Sequence, residues 1–451
     1  MNDKGNPKIL ALLFFGVLMG ALDIAIIGPA LPSIKESFDV GERALPWVLN
    51  MYVLANLVGT PLLGRFSDLF GRRWIYIISL LLFGAGSAIV MLSASFDQVL
   101  IGRAVQGFGA GGIFPVAAAV IGDTFPKEKQ GSALGMIGAV FGMAFIIGPI
   151  IGGVLLMFSW HWIFAINLPI ALVLSFFAFR ILPSVRQKGK VYIDYPGMLL
   201  LTLILAAFAY GINSLKVNDT LIYILRWNHL PLILGALALL PLFYFIQKKS
   251  RQPVINMILL QKRQLILVMV LGFAAGIGEV GVMFIPTFAK TVFHMSDSQA
   301  SFMLMPLVLA LMIGAPLAGR ATDKMGPKPV LIVGSLLVVS GYLLLSTIAD
   351  GYVGFFLSTV IIGFGLSILL GAPPRYIINR ETTDDIRASG QSVLTVFTSS
   401  GQLTSAALAG ALIAGIGGVS HGLSSAFAVF GLLSIIAILL SVLIKNYKVN
   451  A

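Results

Sequence analysis

Long uncharged apolar runs alternate with short polar loops along almost the whole chain of 451 residues. A helix needs about 20 apolar residues to cross a bilayer core, and these runs lack the apolar–polar alternation of a membrane strand. The pattern predicts fourteen spanning helices, at 9–32, 45–64, 74–94, 98–121, 132–157, 160–181, 196–214, 230–247, 264–290, 298–319, 329–349, 352–374, 388–416 and 422–444. The alternative is twelve spans, with 196–214 and 230–247 both outside the membrane.

Composition supports the same class of protein. Only 11% of the residues are charged and 58% are hydrophobic, whereas roughly a quarter of an ordinary soluble domain is charged. These proportions exclude soluble, disordered and collagen-like chains and favour an all-α polytopic membrane protein. The chain has no cysteine, which excludes disulfides, zinc–thiolate sites, iron–sulfur clusters and cysteine nucleophiles.

The net charge of +12 follows from where the basic residues stand. With the N-terminus in the cytoplasm, most of the 30 Lys and Arg residues fall in cytoplasmic loops, including Arg375 and Arg387 after the twelfth predicted span. This bias predicts that both termini are cytoplasmic and that the chain is a multi-pass protein of the cell membrane. It also explains the positive charge without a nucleic-acid partner.

Two loops carry the same motif. Gly64–Arg73 and Gly319–Lys328 both read G-R-x-x-D-x-x-G-x-[RK], and each follows the second helix of a block of six predicted helices. We therefore predict an N-terminal six-helix bundle at 1–190, a two-helix insert at 191–260 and a C-terminal six-helix bundle at 261–451. Parallel repeats of this kind build transporters whose substrate path runs between the halves.

These loops resemble the most widespread signature of the major facilitator superfamily. Val99–Gly111 resembles its fourth-helix motif, and Leu22–Pro32 resembles a first-helix motif of its fourteen-helix drug:proton antiporter branch, with Gly28-Pro29 in place of the usual Asn-Val. Ala144–Gly153 resembles the fifth-helix motif of antiporters, with Ala144 in place of its first glycine. The resemblance covers nearly the whole chain. It implies a major-facilitator fold and proton-coupled export of lipophilic or cationic drugs by alternating access, as in multidrug efflux and antibiotic resistance.

Two other functions stay open. A proton-coupled uptake symporter of a small solute would share the fold, whereas the fifth-helix motif favours antiport. A membrane-embedded enzyme would need catalytic residues, and the chain has no H-E-x-x-H, G-x-S-x-G or phosphate-binding G-x-x-x-x-G-K-[ST] motif. We therefore predict no enzyme, cofactor or metal, and a monomer whose partners are a small-molecule substrate, protons and membrane lipids.

Three charged residues are embedded in predicted spans: Asp23 and Glu279 far from the ends, and Arg103 closer to the outer end of its span. A charge at the bilayer centre costs about 2.5–3.5 kcal/mol, so each needs a reason. We expect Asp23, as a lone carboxylate, and Glu279 to exchange protons and attract cations, and Arg103 to bias both carboxylates electrostatically. The resemblance implies that Asp23 and Arg103 face one cavity. The alternative is a structural ion pair. Space around the Glu279 carboxyl is expected from three flanking glycines, Gly276, Gly278 and Gly281.

The resemblance also implies a gate at the cytoplasmic face that latches the outward-open state. Its expected residues are Gly64, Asp68, Gly71, Arg72, Arg73, Asp123 and Asp323. The alternative is a plain basic loop with a solvated carboxylate at a helix end. The residues expected to give the fifth helix close packing and a bend are Gly148, Pro149, Gly152 and Gly153.

Further residues have the chemistry of a substrate cavity. Aromatic faces suit lipophilic cations, and amides and hydroxyls in a span prefer a cavity or a neighbouring helix to lipid. The candidates are Trp47, Tyr52, Asn56, Gln106, Phe108, Gln391, Thr395 and Gln402. The alternative for each is a lipid-facing or core position.

Overall fold

A computed structural model describes residues 6–40, 46–183, 192–213, 230–251, 253–295, 297–348, 351–415 and 419–447. Apart from two 3-10 turns, Lys127–Lys129 and Met257–Leu260, the regular structure of these residues is α-helical. The helices are α1 Pro7–Phe38, α2 Pro46–Phe70, α3 Arg72–Met91, α4 Phe96–Thr124, α5 Gln130–Leu156, α6 His161–Ala165, α7 Asn167–Ile181, α8 Tyr195–Asn213, α9 Leu230–Lys249, α10 Arg263–Phe293, α11 Asp297–Phe302, α12 Met305–Met325, α13 Pro327–Thr347, α14 Tyr352–Leu369, α15 Ala372–Glu381, α16 Arg387–Gly415 and α17 Val419–Leu443.

Span length and hydropathy identify twelve membrane-spanning candidates within the described residues, which supports a polytopic membrane protein. Helices α8 and α16 match the predicted spans 196–214 and 388–416 but are not among the twelve. The apolar part of α8 is short, at Tyr195–Phe208, and α16 carries many hydroxyl and amide side chains. The predicted count of fourteen is therefore not supported by hydropathy in the described part of the chain.

Apolar packing divides the helices into two halves. The first half, α1–α7, is built on two clusters of buried apolar side chains, and the second half, α10–α17, on one large cluster. Between them, α8 and α9 pair with each other, and α8 packs against α2 and α16 through a smaller cluster that includes Leu57, Leu201 and Leu205. The halves meet along α2 with α16 and along α5 with α12. The domain boundaries at 190 and 260 stay predictions.

Glycines allow the helix backbones of the first half to touch. A Cβ on Gly107 of α4 would overlap the backbone of Tyr52 in α2, and one on Gly86 of α3 would lie 2.6 Å from the carbonyl oxygen of Gly102 in α4. Lipid tails are as apolar as leucine, so close van der Waals contact is a main source of attraction between membrane helices. The tight contact of α2, α3 and α4 therefore depends on positions without side chains.

We predict that Gly107→Val destabilises the protein by about 1–3 kcal/mol, because α2 and α4 must separate to admit the side chain. Thermal unfolding of the purified protein measures this as a lower melting temperature. The control is Gly20→Val in α1, where a Cβ would meet nothing within 4 Å. Equal melting temperatures for the two variants would contradict the packing role of Gly107.

Candidate functional site

Asp23 in α1 is paired, so the expectation of a lone carboxylate is wrong. Its Oδ2 lies 2.6 Å from Nη1 of Arg103 in α4, and both side chains are buried. Arg103 also donates from Nε to the carbonyl oxygen of Val48 at 3.0 Å, and its Cζ lies 4.4 Å from the ring centre of Tyr52. The packing of α4 against α1 and α2 thus brings Asp23 and Arg103 together. This arrangement fits the alternative interpretation, in which the two residues form a structural ion pair.

Three polar side chains complete this cluster. Nε2 of Gln106 donates to Asp23 Oδ1 at 2.7 Å and to Ser87 Oγ at 2.9 Å, and Gln106 Oε1 accepts from Arg103 at 2.7 Å. Nδ2 of Asn167 in α7 donates to Asp23 Oδ1 at 3.2 Å. All of these side chains are buried. The network ties α1, α3, α4 and α7 together around a neutralised ion pair.

Sequence reasoning identified Asp23, Arg103 and Gln106 but missed Ser87 and Asn167. The sequence signal for each missed residue is a single polar side chain within an apolar run. A single hydroxyl or amide is common in membrane helices, so the signal becomes specific only when the helix faces are known.

Glu279 in α10 has a different environment. Its half-buried carboxyl accepts a hydrogen bond at 2.6 Å from Nε2 of Gln402 in α16, and no basic group pairs with it among the described residues. The expected space around it is not formed by the flanking glycines. A Cβ on Gly276 would overlap the backbone of Thr398, and one on Gly281 would lie 2.7 Å from the ring of Tyr342. These glycines bring α16 and α13 close to α10.

A polar face on α16 leads away from Glu279. Gln402, Thr398, Thr395 and Gln391 follow helical spacing, and the stretch from Thr395 to Ser400 is half-buried. The hydroxyls of Thr395 and Thr398 each donate to the carbonyl oxygen four residues earlier, at 3.1 Å. Gln391 is fully buried at the far end of this face, where its amide donates to Asn379 Oδ1 at 2.8 Å.

The other cavity candidates lie in α2 and α4 of the first half. Trp47 packs against Tyr210 of α8, with ring centres 5.7 Å apart, and Phe108 lines apolar grooves beside α2 and α3. Tyr52 lies in the Asp23 cluster, and Asn56 is half-buried, with its backbone carbonyl accepting the Thr60 hydroxyl at 2.7 Å. No hydrogen bond or ring contact links Trp47 or Phe108 to Asp23 or Glu279 among the described residues. No group of three His, Asp or Glu among the described residues could hold a metal ion.

Asp68 joins the halves at the first decapeptide. Its carboxylate accepts hydrogen bonds from the backbone amides of Ala388 at 3.0 Å and Ser389 at 2.8 Å, and from the Ser389 hydroxyl. These amides belong to the first turn of α16, where free N–H groups and the helix dipole favour an anion. Gly64 allows the approach, because a Cβ there would overlap the side chain of Ser392.

Asp323 makes the same kind of junction with the roles of the halves exchanged: the carboxylate comes from the second half and the helix start from the first. It accepts from the backbone amides of Gly131 at 2.8 Å and Ser132 at 2.7 Å, in the first turn of α5. The end of the bundle with these two junctions, at 64–73 and 319–328, is called here the junction end. Sequence reasoning predicted both aspartates but missed the small–Ser pairs, Gly131-Ser132 and Ala388-Ser389, that occupy matching places in the two repeats.

Ion pairs surround the first junction. Arg72 pairs with Asp68, and its Nε lies 2.8 Å from Oδ2 of Asp123. Asp123 also pairs with Arg387 across the halves, and Arg72 donates to the carbonyl oxygen of Asp384 at 2.5 Å. The structure thus brings together Asp68, Arg72 and Asp123, as the gate requires, and adds two residues that sequence reasoning did not assign to it.

The remaining gate residues shape the short connections between helices. Gly71 and Gly326 have φ values of 96° and 79°, which other residues rarely adopt, and α3 and α13 begin directly after them. Arg73 lies outside the ion-pair network and donates from Nε to the carbonyl oxygen of Leu182 at 2.6 Å.

The fifth-helix motif packs against α1 beside Asp23. A Cβ on Gly148 would lie 2.7 Å from Cβ of Ala25, and one on Gly152 would lie 3.0 Å from Cγ2 of Ile26. Gly153 would meet nothing within 4 Å, and the side chain of Pro149 lies outside the described residues. On its other side, Gly142 lets α5 approach Met312 of α12, so this helix contacts both halves.

Comparison with known proteins identifies the family. The family model "Major Facilitator Superfamily" matches residues 13–312 and 265–450. An uncharacterized MFS-type transporter of Bacillus subtilis, YfiU, is 34% identical over 84% of this chain and 74% of its own length. Multidrug resistance protein 3 of the same organism is 29% identical over 83% of this chain and 74% of its own length.

Solved structures agree in fold. The human organic anion transporter MFSD10 superposes with a TM-score of 0.74 at 15% identity, covering 96% of this chain and 99% of its own. The proton:xylose symporter XylE superposes with a TM-score of 0.67 at 16% identity, covering 97% and 96%. With its two halves, paired decapeptide junctions and sequence relatives, the chain is a transporter and not an enzyme, and it belongs to the major facilitator superfamily.

Proposed function

We propose that the protein exports lipophilic or cationic compounds in exchange for protons, by alternating access across the cell membrane. The observation that carries the proposal is Glu279, a half-buried carboxyl within a candidate span whose described partner is the neutral amide of Gln402. A carboxyl without a fixed counter-charge is free to exchange a proton with a cationic substrate. The multidrug resistance protein among the relatives supports this substrate class.

The Asp23–Arg103 pair has a supporting role in this proposal. The two charges already neutralise each other, and both side chains are hydrogen-bonded to Gln106, so proton exchange at Asp23 would first require the pair to separate. Removing one partner of a buried pair typically costs 3–5 kcal/mol. Proton coupling is therefore assigned to Glu279, and the cluster around Asp23 holds the first half in shape.

The direction of transport rests on α5. Its motif resembles that of antiporters, and its glycines allow contact with α1 on one side and α12 on the other. A helix in contact with both halves is well placed to change its packing when the halves rock. Uptake by symport is the alternative, and the XylE superposition at 16% identity bears only on the fold.

The proposed arrangement in the membrane follows the charge bias of the loops. We assign the junction end and both termini to the cytoplasmic side, and we include α8 and α16 among the spans, for a total of fourteen. The junctions would then hold the cytoplasmic side closed and leave the path open to the outside. We propose a monomer of the drug:proton antiporter branch.

We predict that Glu279→Gln abolishes substrate-induced proton release by the purified protein and pH-driven transport of a monovalent cation in vesicles. Gln preserves shape and hydrogen bonding but carries no exchangeable proton, and transfer of one proton across 100 mV is worth about 2.3 kcal/mol, or a gradient of roughly fifty-fold. Transport of a neutral analogue down its gradient should persist.

The matched control is Glu381→Gln at the end of α15, where the carboxylate pairs with Lys445 and accepts the Tyr447 hydroxyl at 2.9 Å, away from Glu279. This variant should retain proton release. Full pH-driven cation transport by Glu279→Gln would refute the proposed coupling, and equal loss of cation and neutral transport would indicate a packing role for Glu279.

We predict that Gly148→Val blocks transport while the protein still inserts and purifies, because the added side chain would collide with Ala25 of α1. Gly153→Val is the control within the same motif, since a Cβ there meets nothing within 4 Å. Transport rates in vesicles, normalised to inserted protein, measure the difference. Equal rates for the two variants would show that α1–α5 packing does not limit the cycle.

A further inference from the structure

Arg375 is a buried cation that the proposed mechanism does not use. Its position in the sequence suggested a cytoplasmic loop, but the structure places it in the first turn of α15, within the candidate span Tyr352–Glu381. The break between α14 and α15 falls at Leu370–Gly371 and is followed by Pro373-Pro374, which start the new helix. At 1.5 Å per residue, Arg375 lies roughly 9 Å from the end of α15 at the junction end.

The described surroundings of Arg375 supply no negative charge. Nη1 donates to Oε1 of Gln391 at 3.1 Å, and the guanidinium lies 4.0 Å from the ring centre of Phe114 in α4 of the first half. Nε is buried without a hydrogen-bond partner, and the whole residue is 7% exposed. No carboxylate pairs with it in the described part of the chain.

Two other buried arginines, Arg103 and Arg72, show a contrast with Arg375. Arg103 pairs with Asp23, and Arg72 pairs with Asp68 and Asp123. A buried guanidinium satisfied only by one amide and one aromatic face retains a large part of its desolvation penalty. An acidic group that entered beside Phe114 would offset that penalty and satisfy the free Nε.

The polar face of α16 connects this cation to Glu279. Gln391 holds Arg375 at one end of the face and Gln402 holds Glu279 at the other, roughly 16 Å apart along the helix. Between them lie the half-buried hydroxyls of Thr395 and Thr398. The face therefore presents a cation and a carboxyl at its two ends, which matches a solute that carries an acidic and a basic group.

We propose that Arg375 binds the acidic group of aromatic zwitterionic solutes, so that the site prefers a compound with a free carboxylate over its methyl ester, in which that group carries no charge. The ring of Phe114 would contact the aromatic part next to that carboxylate. This inference rests on the proposed function only in that the polar face of α16 lines the substrate path. It extends the expected substrates from lipophilic cations to zwitterions.

The test compares two dyes that differ at one group: rhodamine 110, which carries a free carboxylate, and its cationic methyl ester, rhodamine 123. Binding to the purified full-length protein is measured by fluorescence polarisation without a proton gradient. We expect wild type to bind the acid at least about tenfold more tightly than the ester, or about 1.4 kcal/mol. Arg375→Gln should remove this preference and leave ester binding unchanged.

Two further variants separate binding from structure. Arg375→Lys keeps the charge and should keep part of the preference for the acid. Arg380→Gln, one turn further along α15, removes an arginine that bonds to the Tyr376 hydroxyl at 2.7 Å and should behave like wild type.

Wild-type protein that binds the ester as tightly as the acid would overturn the proposal even if no variant folds. Equal weakening of both dyes by Arg375→Gln would also overturn it, because the contact with Phe114 would then be structural. Since binding is measured without a gradient, a failure of proton coupling at Glu279 would leave this result unaffected. The two proposals can therefore fail separately.

Discussion

Two aspartates hold one end of this bundle together, and the other functional features depend on that closure. Asp68 accepts from the first turn of α16, and Asp323 accepts from the first turn of α5, so each half supplies one carboxylate and one helix start. Hydrogen bonds to a charged group contribute about 1.5–3 kcal/mol each. Contacts of this size, made to the backbone amides of a helix start, are strong enough to hold a closed state and weak enough to be exchanged for water when the halves separate.

The two halves treat their embedded charges differently. In the first half, Asp23 and Arg103 neutralise each other within a buried network of amides and a hydroxyl. In the second half, Glu279 and Arg375 each contact a glutamine of α16 and have no counter-ion among the described residues. The charges of the first half therefore stabilise its structure, whereas Glu279 and Arg375 of the second half remain available to bind a proton and an ionised solute in the proposed mechanism.

Sequence patterns predicted the helical class, the repeat and the aspartates of both junctions, because hydropathy and a repeated motif are readable without knowing which helix faces meet. The pairing of Asp23 with Arg103, Gln106 and Asn167 depends on how three helices, α1, α4 and α7, face one another, and no pattern along the chain reports this. For the same reason, the prediction that the glycines beside Glu279 leave open space around its carboxyl is wrong. These glycines instead allow α16 and Tyr342 to pack close to α10. Arg375 was assigned to a loop because the break at Gly371 ends the apolar run before α15 begins.

The most direct test of the central claim measures the separation of the halves at the junction end. The chain has no cysteine, so spin labels can be attached at Lys127→Cys and Thr383→Cys, two exposed positions beside the junctions. Pulsed electron resonance then gives the distance distribution in lipid. In wild type, most molecules should show the shorter distance between the labels, which corresponds to a closed junction end. In the double variant Asp68→Asn, Asp323→Asn, the population should shift to a longer distance. An unchanged distribution in the double variant would contradict the account, since the closure would then not depend on the two carboxylates.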